Sequence, residues 1–537
     1  MSHHSDSSCP TPGRSVSRRS LLRGALVAGG TLALPTAFAA RATAAPALVR
    51  AGRPTLTHGV QSGDVGTTLG TVWTRADRPS RMIVEAGTRP DFRDALRIPG
   101  ALLTPESDFT GKTVLPGLPG LPDGTDIYYR VTAVDLSDTS LASEPLTGHF
   151  RTVPRRARDV SFLWSGDLGG QGWGIDLSRG GYRIFAAMAA LDPDFYICNG
   201  DNVYADDPFE AQQALPDGTF WNNITTPEKS KVAETLDGFR GQYKYNLIDA
   251  NLRAFYANVA QVQQWDDHET HNNWYPGEIL TDPLYTEKRV DVLKYRSRQA
   301  WHEYMPISPV YDAEERIYRV LHHGPLLDVF VLDMRWYRDA NSPDKQTFND
   351  GGILGDAQAR WLKRELAASK ATWKVISNDM PLGIVVNDGT QGLPNFEAVS
   401  QGDPGAPLGR EIQIAEILSF IRHQNISNVV WLTTDVHYTA ALYFDPDKAA
   451  YTDFDPFWQF VSGPLHAGGF GPNALDATFG PQQVFVKAPP QPNAAPNTEY
   501  MFFGQVSIDA ASRVMTVRLR DVTGTVLWST DLEPRLR

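Results

Sequence analysis

Phe195-Tyr196-Ile197-Cys198-Asn199-Gly200-Asp201-Asn202-Val203-Tyr204 decides how the rest of the chain is read. A short, unbroken apolar run reads as a strand buried on both faces, and the polar residues after it fall at the carboxyl end, where an α/β sheet delivers side chains to a ligand crevice. The same pattern recurs three times. Phe162-Leu163-Trp164-Ser165 leads through Gly166 to Asp167. Val262-Gln263-Gln264-Trp265 leads to Asp266-Asp267-His268-Glu269, with Asn272-Asn273-Trp274 close behind. Val429-Val430-Trp431-Leu432 leads to Thr433-Thr434-Asp435-Val436-His437-Tyr438. Singly, each has an ordinary explanation as a turn, a solvated loop or a structural histidine. Four such clusters in one region form a constellation.

Around these clusters, apolar strands alternate with amphipathic helices, the pattern of an α/β domain. Strands are expected over Val160–Ser165, Phe195–Cys198, Val259–Trp265, Leu326–Asp333, Trp373–Ser377 and Val429–Thr433, with further strands over Tyr500–Leu532. Helices are expected around Tyr182–Ala190, Ala357–Ala368 and Arg410–His423, and residues 205–250 read as an insertion. Upstream, from Leu56 to Thr152, runs such as Leu69–Thr74, Met82–Glu85 and Ile127–Val134 are rich in β-branched and aromatic residues and are punctuated by Gly and Pro. That stretch reads as a β-sandwich closing with Gly148–Thr152, followed by a linker at Pro154–Arg158.

A chain of 537 residues, with 42% hydrophobic residues and 13 Trp, exceeds one ordinary core and implies more than one domain. The formal charge of −12 argues against a nucleic-acid-binding domain, which needs a basic face. Ser17-Arg18-Arg19-Ser20-Leu21-Leu22-Arg23 precedes the weakly apolar stretch Gly24–Ala40, a leader similar to a twin-arginine export signal. Cleavage after it would leave a secreted or periplasmic protein with no membrane span and one thiol, Cys198, which reads as core. The expected division is therefore a signal peptide at 1–45, a β-sandwich domain at 50–153 and a catalytic domain at 158–537.

Carboxylates with a few imidazoles suit Mn, Fe, Zn or Ca, and a bridging carboxylate can hold two ions about 3.5–4 Å apart. Such a pair polarises a phosphoryl oxygen and acidifies a bound water, the two effects that phosphate ester hydrolysis requires.

The Gly200–Tyr204, Trp265–Glu269 with Asn272–Trp274, and Asp435–Tyr438 motifs resemble the metallophosphoesterases, and within them the PhoD-type alkaline phosphatases related to purple acid phosphatases. The resemblance spans roughly residues 56 to 530. It implies an N-terminal β-sandwich followed by an α/β/β/α sandwich, and hydrolysis of mono- or diesters, small or polymeric. It further implies that Asp201 bridges two ions, that Asp167, Tyr204 and His437 complete the first, and that Asp267 with Asp435 binds the second. His268 matches the family's catalytic histidine, which helps to protonate the leaving oxygen. The implied metals are two or more ions, Fe(3+) with Ca(2+), with Mn or Zn as alternatives. Export through the Tat machinery would follow from the leader.

Two departures stand out. Many PhoD-type enzymes carry Cys in the first motif, where this chain has Ser165-Gly166-Asp167. The family's separate metal-binding His after another strand is replaced by Ser377-Asn378-Asp379, where Asn378 stands open between an oxygen ligand and a turn former. Other readings are a phospholipase D-like phosphodiesterase of the same fold, a non-catalytic metal-dependent binding protein, and an oxidoreductase built on a Tyr-ligated iron.

Overall fold

In the strand Val160–Ser165, Phe162 and Trp164 join one hydrophobic cluster while Leu163 between them joins another. Phe195 and Ile197 alternate with Tyr196 and Cys198 in the same way, and Val430 and Leu432 alternate with Trp431. Each strand is therefore covered on both faces, as its unbroken apolar sequence demands. The computed structural model describes residues 52–115, 122–313, 316–388 and 395–536, and the expected leader at 1–45 lies outside them.

Two sheets supply these strands. The first has nine, in the order Val526–Leu532, Met515–Asp521, Phe502–Ile508, Val160–Ser165, Phe195–Cys198, Ala260–Gln263, Leu56–Gly63, Gly70–Ala76, Thr110–Leu115. The second has seven, in the order Arg319–His323, Leu327–Val331, Trp373–Ser377, Val429–Thr433, Phe457–Val461, Thr439–Phe444, Pro481–Lys487. Their inner faces share one core, in which Phe162, Trp164 and Ile197 join Val329, Val375 and Leu432. Helices cover the outer faces. Ile184–Ala189, Ala250–Asn258 and Val290–Tyr304 pack with Leu163 and Tyr196, and Gly355–Ala368 and Arg410–His423 pack with Ile376 and Trp431. The last helix presents Ile414, Ile417, Leu418 and Ile421 at helical spacing, and Asp344 accepts from its first amide, Arg410 N, at 3.0 Å. The architecture is the α/β/β/α sandwich expected.

The N-terminal region adds a four-stranded antiparallel sheet in the order Leu96–Leu103, Ser80–Gly87, Asp126–Asp135, Leu146–Arg151. It shares a core with Leu56–Gly63, Gly70–Ala76 and Thr110–Leu115, the strands that extend the nine-stranded sheet. The joint is the parallel pairing of Gly63 with Gln261. A buried ion pair reinforces it, Arg319 Nη2 to Asp64 Oδ1 at 2.7 Å, while Asp64 Oδ2 accepts from Ser308 N at 2.8 Å. The sandwich is thus built onto the sheet that carries the site. Among the described residues no helix is long and apolar enough to cross a membrane.

Candidate metal centre

Val160–Ser165, Phe195–Cys198 and Ala260–Gln263 run parallel in the first sheet, and Leu327–Val331, Trp373–Ser377 and Val429–Thr433 run parallel in the second. Their carboxyl ends release Asp167, Asp201, Asp266 to His268, Asp379, and Asp435 to His437. The chain leaves these strands abruptly: φ is 63° at Asp167, 49° at Asp201, 71° at Asp435 and 59° at His437. Left-handed backbone costs a residue with a Cβ on the order of 1 kcal/mol, and such strain collects at functional sites. Gly200, at φ 126°, has no such alternative, because a Cβ there would overlap Asp266.

All seven residues singled out from the sequence meet here. Asp167, Asp201 and His437 offer donor atoms within 4.8 Å of one another, as do Asp201, Asp267 and His268, and again Asp266, Asp267 and Asp435. Tyr204 adds its hydroxyl 2.8 Å from His437 Nε2. His437 Nδ1 donates to Gly468 O at 2.5 Å, which fixes the tautomer and leaves Nε2 free to ligate. Burial also pushes His437 down to about 4, so the ring is neutral. Thr434 Oγ1 donates to Asp167 Oδ2 at 2.7 Å, while Asp167 Oδ1 is buried without a hydrogen-bond partner.

The electrostatics call for cations. Burial, and then repulsion from neighbouring carboxylates, pushes Asp201 and Asp435 well above the usual carboxylate range, and burial lifts Asp167 to about 8. Burial and Asp201 likewise raise the Tyr204 phenol. Bound metal ions would offset the negative charge that burial and crowding disfavour here. Carboxylates, a phenol and one imidazole form a hard donor set that fits Fe, Mn, Zn or Ca.

His268 stands apart from the other six. Both oxygens of Asp206 lie 2.9 Å from its Nδ1, and its ring sits tilted against that of Tyr204, the centroids 4.1 Å apart. Against the cost of burial, Asp206 and Asp267 push its pKa up to about 10. The two carboxylates thus favour the protonated ring, and its backbone N donates to Asp201 Oδ1 at 3.2 Å. Beside it opens a cavity of about 540 Å³, lined among others by Asp206, Asp207, Asn272, Glu278 and Asp388.

Sequence reasoning missed Asp206 as the partner of His268, Thr434 as the partner of Asp167, and Arg335. The Arg335 guanidinium is fully buried among Asp266, Asp379 and Glu397. The Asp201–Asp206 spacing is the one local signal that placed Asp206 near the site. Asn378 closes a turn, Nδ2 donating to Met380 O at 2.5 Å, with Oδ1 buried and unpartnered. Cys198 is core, its thiol 3.5 Å from Gly200 O and raised by burial to about 12. His466 is also structural, packed 4.7 Å from the Tyr182 ring with Nε2 on Gly174 O.

The profile of the PhoD-like phosphatase family matches residues 162–519, and that of the PhoD-like phosphatase N-terminal domain matches residues 41–154. Alkaline phosphatase D of Bacillus subtilis (strain 168) is 28% identical over 480 residues, covering 84% of this chain and 77% of that protein. Among solved structures, PhoD superposes with a TM-score of 0.65 at 22% identity over 89% of each chain. The purple acid phosphatase PPD1 of yellow lupin, Lupinus luteus, superposes with a TM-score of 0.54 at 11% identity, covering 90% of this chain and 74% of its own. The chain is a phosphoester hydrolase of the PhoD-like phosphatase family.

Proposed function

We propose that this hydrolase is an exported alkaline phosphatase or phosphodiesterase that cleaves phosphate mono- or diesters at a two-metal centre. The observation that carries the reading is the pairing of two features: three linked donor groups running from His437 to Asp435, and a protonated histidine beside them that opens onto a cavity. Asp167, Asp201, Tyr204 and His437 would hold the first ion, Asp201 would bridge, and Asp267 with Asp435 would hold the second. The phenol of Tyr204 favours iron(III) at the first position, and the all-carboxylate second position favours calcium, with manganese or zinc as alternatives. Bound there, the ions would polarise the phosphoryl group and lower the pKa of the attacking water.

The protein's own part is geometric and protonic. Asp206 orients the His268 ring through Nδ1, so Nε2 is the atom available to donate a proton to the departing alcohol oxygen. His437, neutral and anchored to Gly468 O, supplies Nε2 as a lone pair rather than a proton. The cavity beside His268 receives the alcohol portion of the ester. Its carboxylates Asp206, Asp207, Glu278 and Asp388 disfavour a leaving group that is itself anionic.

The proposed division is a twin-arginine signal peptide at 1–45, a β-sandwich domain at 50–153 and a catalytic domain at 158–537. Elemental analysis of protein from its native export route, paired with a panel of mono- and diesters, tests the function. Metal-replete protein that turns over neither class would overturn it. Export is tested by replacing Arg18 and Arg19 with Lys, which should leave the precursor in the cytoplasm; efficient export of that variant would refute the twin-arginine route.

A further inference from the structure

Behind the Asp167 loop lies a second cavity, of about 290 Å³, whose polar lining is Arg179, Arg183, Trp221, His466 and Asn497. The rest of its wall is apolar or glycine, and no carboxylate lines it. Two guanidinium groups bordering one cavity without an acid stand out in a chain of formal charge −12. Burial pushes His466 down to about 3, so the imidazole is neutral and the arginines supply the cavity's charge.

Neither arginine is fully compensated. Arg179 Nη2 donates to Thr219 Oγ1 and Phe220 O, both at 3.2 Å, and its guanidinium carbon lies 5.7 Å from the centroid of the Trp221 ring. Its Nε is buried and makes no hydrogen bond, with Asp176 Oδ2 3.5 Å away. That carboxylate is already committed, Oδ1 accepting from Ser178 N at 2.9 Å and Oδ2 from Asn222 N at 2.9 Å. Asp249, beside Gly181, is likewise taken up by Tyr182 N and Leu252 N. Among the described residues Arg183 donates to Pro496 O alone, at 3.5 Å, and pairs with no carboxylate.

We propose that Arg179 and Arg183 form a binding site, separate from the metal centre, for a tetrahedral oxyanion of the phosphate class. A planar guanidinium presents parallel N–H groups to two oxygens of one such anion, and two guanidinium groups bordering one cavity supply the charge that matches it. Arg183 is exposed and Arg179 half-buried, so binding is reversible and weakens as salt rises. The site shares no ligand with the metal centre, yet only one segment separates them: Leu465 N donates to Gly166 O at 2.8 Å and His466 N to Asp167 O at 3.1 Å. The proposal stands on the cavity and does not depend on how many metals the centre holds.

The test is a binding count on the metal-loaded full chain. Wild type and the double variant Arg179→Gln with Arg183→Gln are dialysed to equilibrium against inorganic phosphate at low salt, and separately against phenylphosphonate, whose C–P bond resists hydrolysis. Any anion held at the metal centre is common to both proteins. The double variant should bind one anion fewer per chain while keeping wild-type kcat on a nitrophenyl ester in phosphate-free buffer, and Arg183→Gln alone should weaken the extra site about 10-fold. A difference seen with phosphate marks the source as the released product; one confined to phenylphosphonate marks a phosphoryl group carried on an organic ligand. Should the double variant not fold, Arg183→Glu replaces it with the same expected loss. Equal counts of both anions in wild type and a folded variant would overturn the proposal.

Discussion

Asp206→Asn removes the charge behind His268 while leaving every proposed metal ligand in place. The two side chains are 13% (His268) and 8% (Asp206) exposed, so solvent screens the pair little. With charge centres about 4 Å apart and an effective dielectric constant of about 20, the pair contributes about 4 kcal/mol, equivalent to about 3 pKa units. Asparagine still offers an oxygen to the Nδ1 proton, so the expected fall is about 2 units. The sign follows from the role. His268 acts in its protonated form, and because Asp206 raises its pKa, that form persists to higher pH and is lost as pH climbs through the folded value. The variant should therefore carry the basic limb of the kcat/KM profile about 2 pH units lower. On the alkaline side this costs an alkyl phosphate about 10²-fold and a nitrophenyl ester much less, since its leaving group needs little protonation. The assay is a pair of kcat/KM–pH profiles on the two substrates, with metal content measured on the same samples. An unmoved basic limb at wild-type metal content would refute the acid assignment and the role of Asp206 together.

Other expectations follow from the same geometry. Asp201→Asn should abolish nearly all turnover and lower bound metal, with the circular dichroism spectrum retained; wild-type stoichiometry and rate would show that Asp201 is no bridge. His268→Ala should lose about 10²–10⁴-fold in kcat on an alkyl phosphate and clearly less on a nitrophenyl ester, with both ions retained in elemental analysis. Gly463→Ala would place a Cβ against Asp167 Oδ2 and Thr434 Oγ1, disrupting their hydrogen bond. Metal titration should then show affinity at the first position weakened about 10–100-fold with the fold intact.

Legibility varies along the chain for physical reasons. Val160–Ser165, Phe195–Cys198, Trp373–Ser377 and Val429–Thr433 have the bounds their sequences predict, because a strand covered on both faces is apolar throughout and stops where polar residues begin. Ala260–Gln263 is shorter than expected. Its buried Gln261 and Gln263 bond to each other at 2.6 Å, and Trp265 leaves the strand to donate to Asp333 Oδ1 at 2.9 Å. Edge strands such as Arg319–His323 and Pro481–Lys487 carry mixed sequences and no such signature. At the site, residues that follow strands were legible because topology places all strand ends on one edge. Asp206, Thr434 and Arg335 were not, since each acts on a group that only the closed sheets bring near. Arg335 lies in Asp333-Met334-Arg335-Trp336, which offers no local hint of the carboxylates it meets.

The left-handed turns explain why these ligands sit at strand ends rather than on helices. Each of Asp167, Asp201, Asp435 and His437 keeps a strained backbone at a cost on the order of 1 kcal/mol, so the four together oppose folding by a few kcal/mol. That strain persists because rigid neighbours hold it. Leu168 N donates to Asp201 O at 2.9 Å, His466 N to Asp167 O at 3.1 Å and Phe470 N to His437 O at 3.1 Å, each tying one ligand loop to another segment. These bonds between segments help to hold the donor atoms together. Ion binding then needs little further ordering of the chain, and the mutual repulsion of the buried carboxylates becomes attraction for the cations.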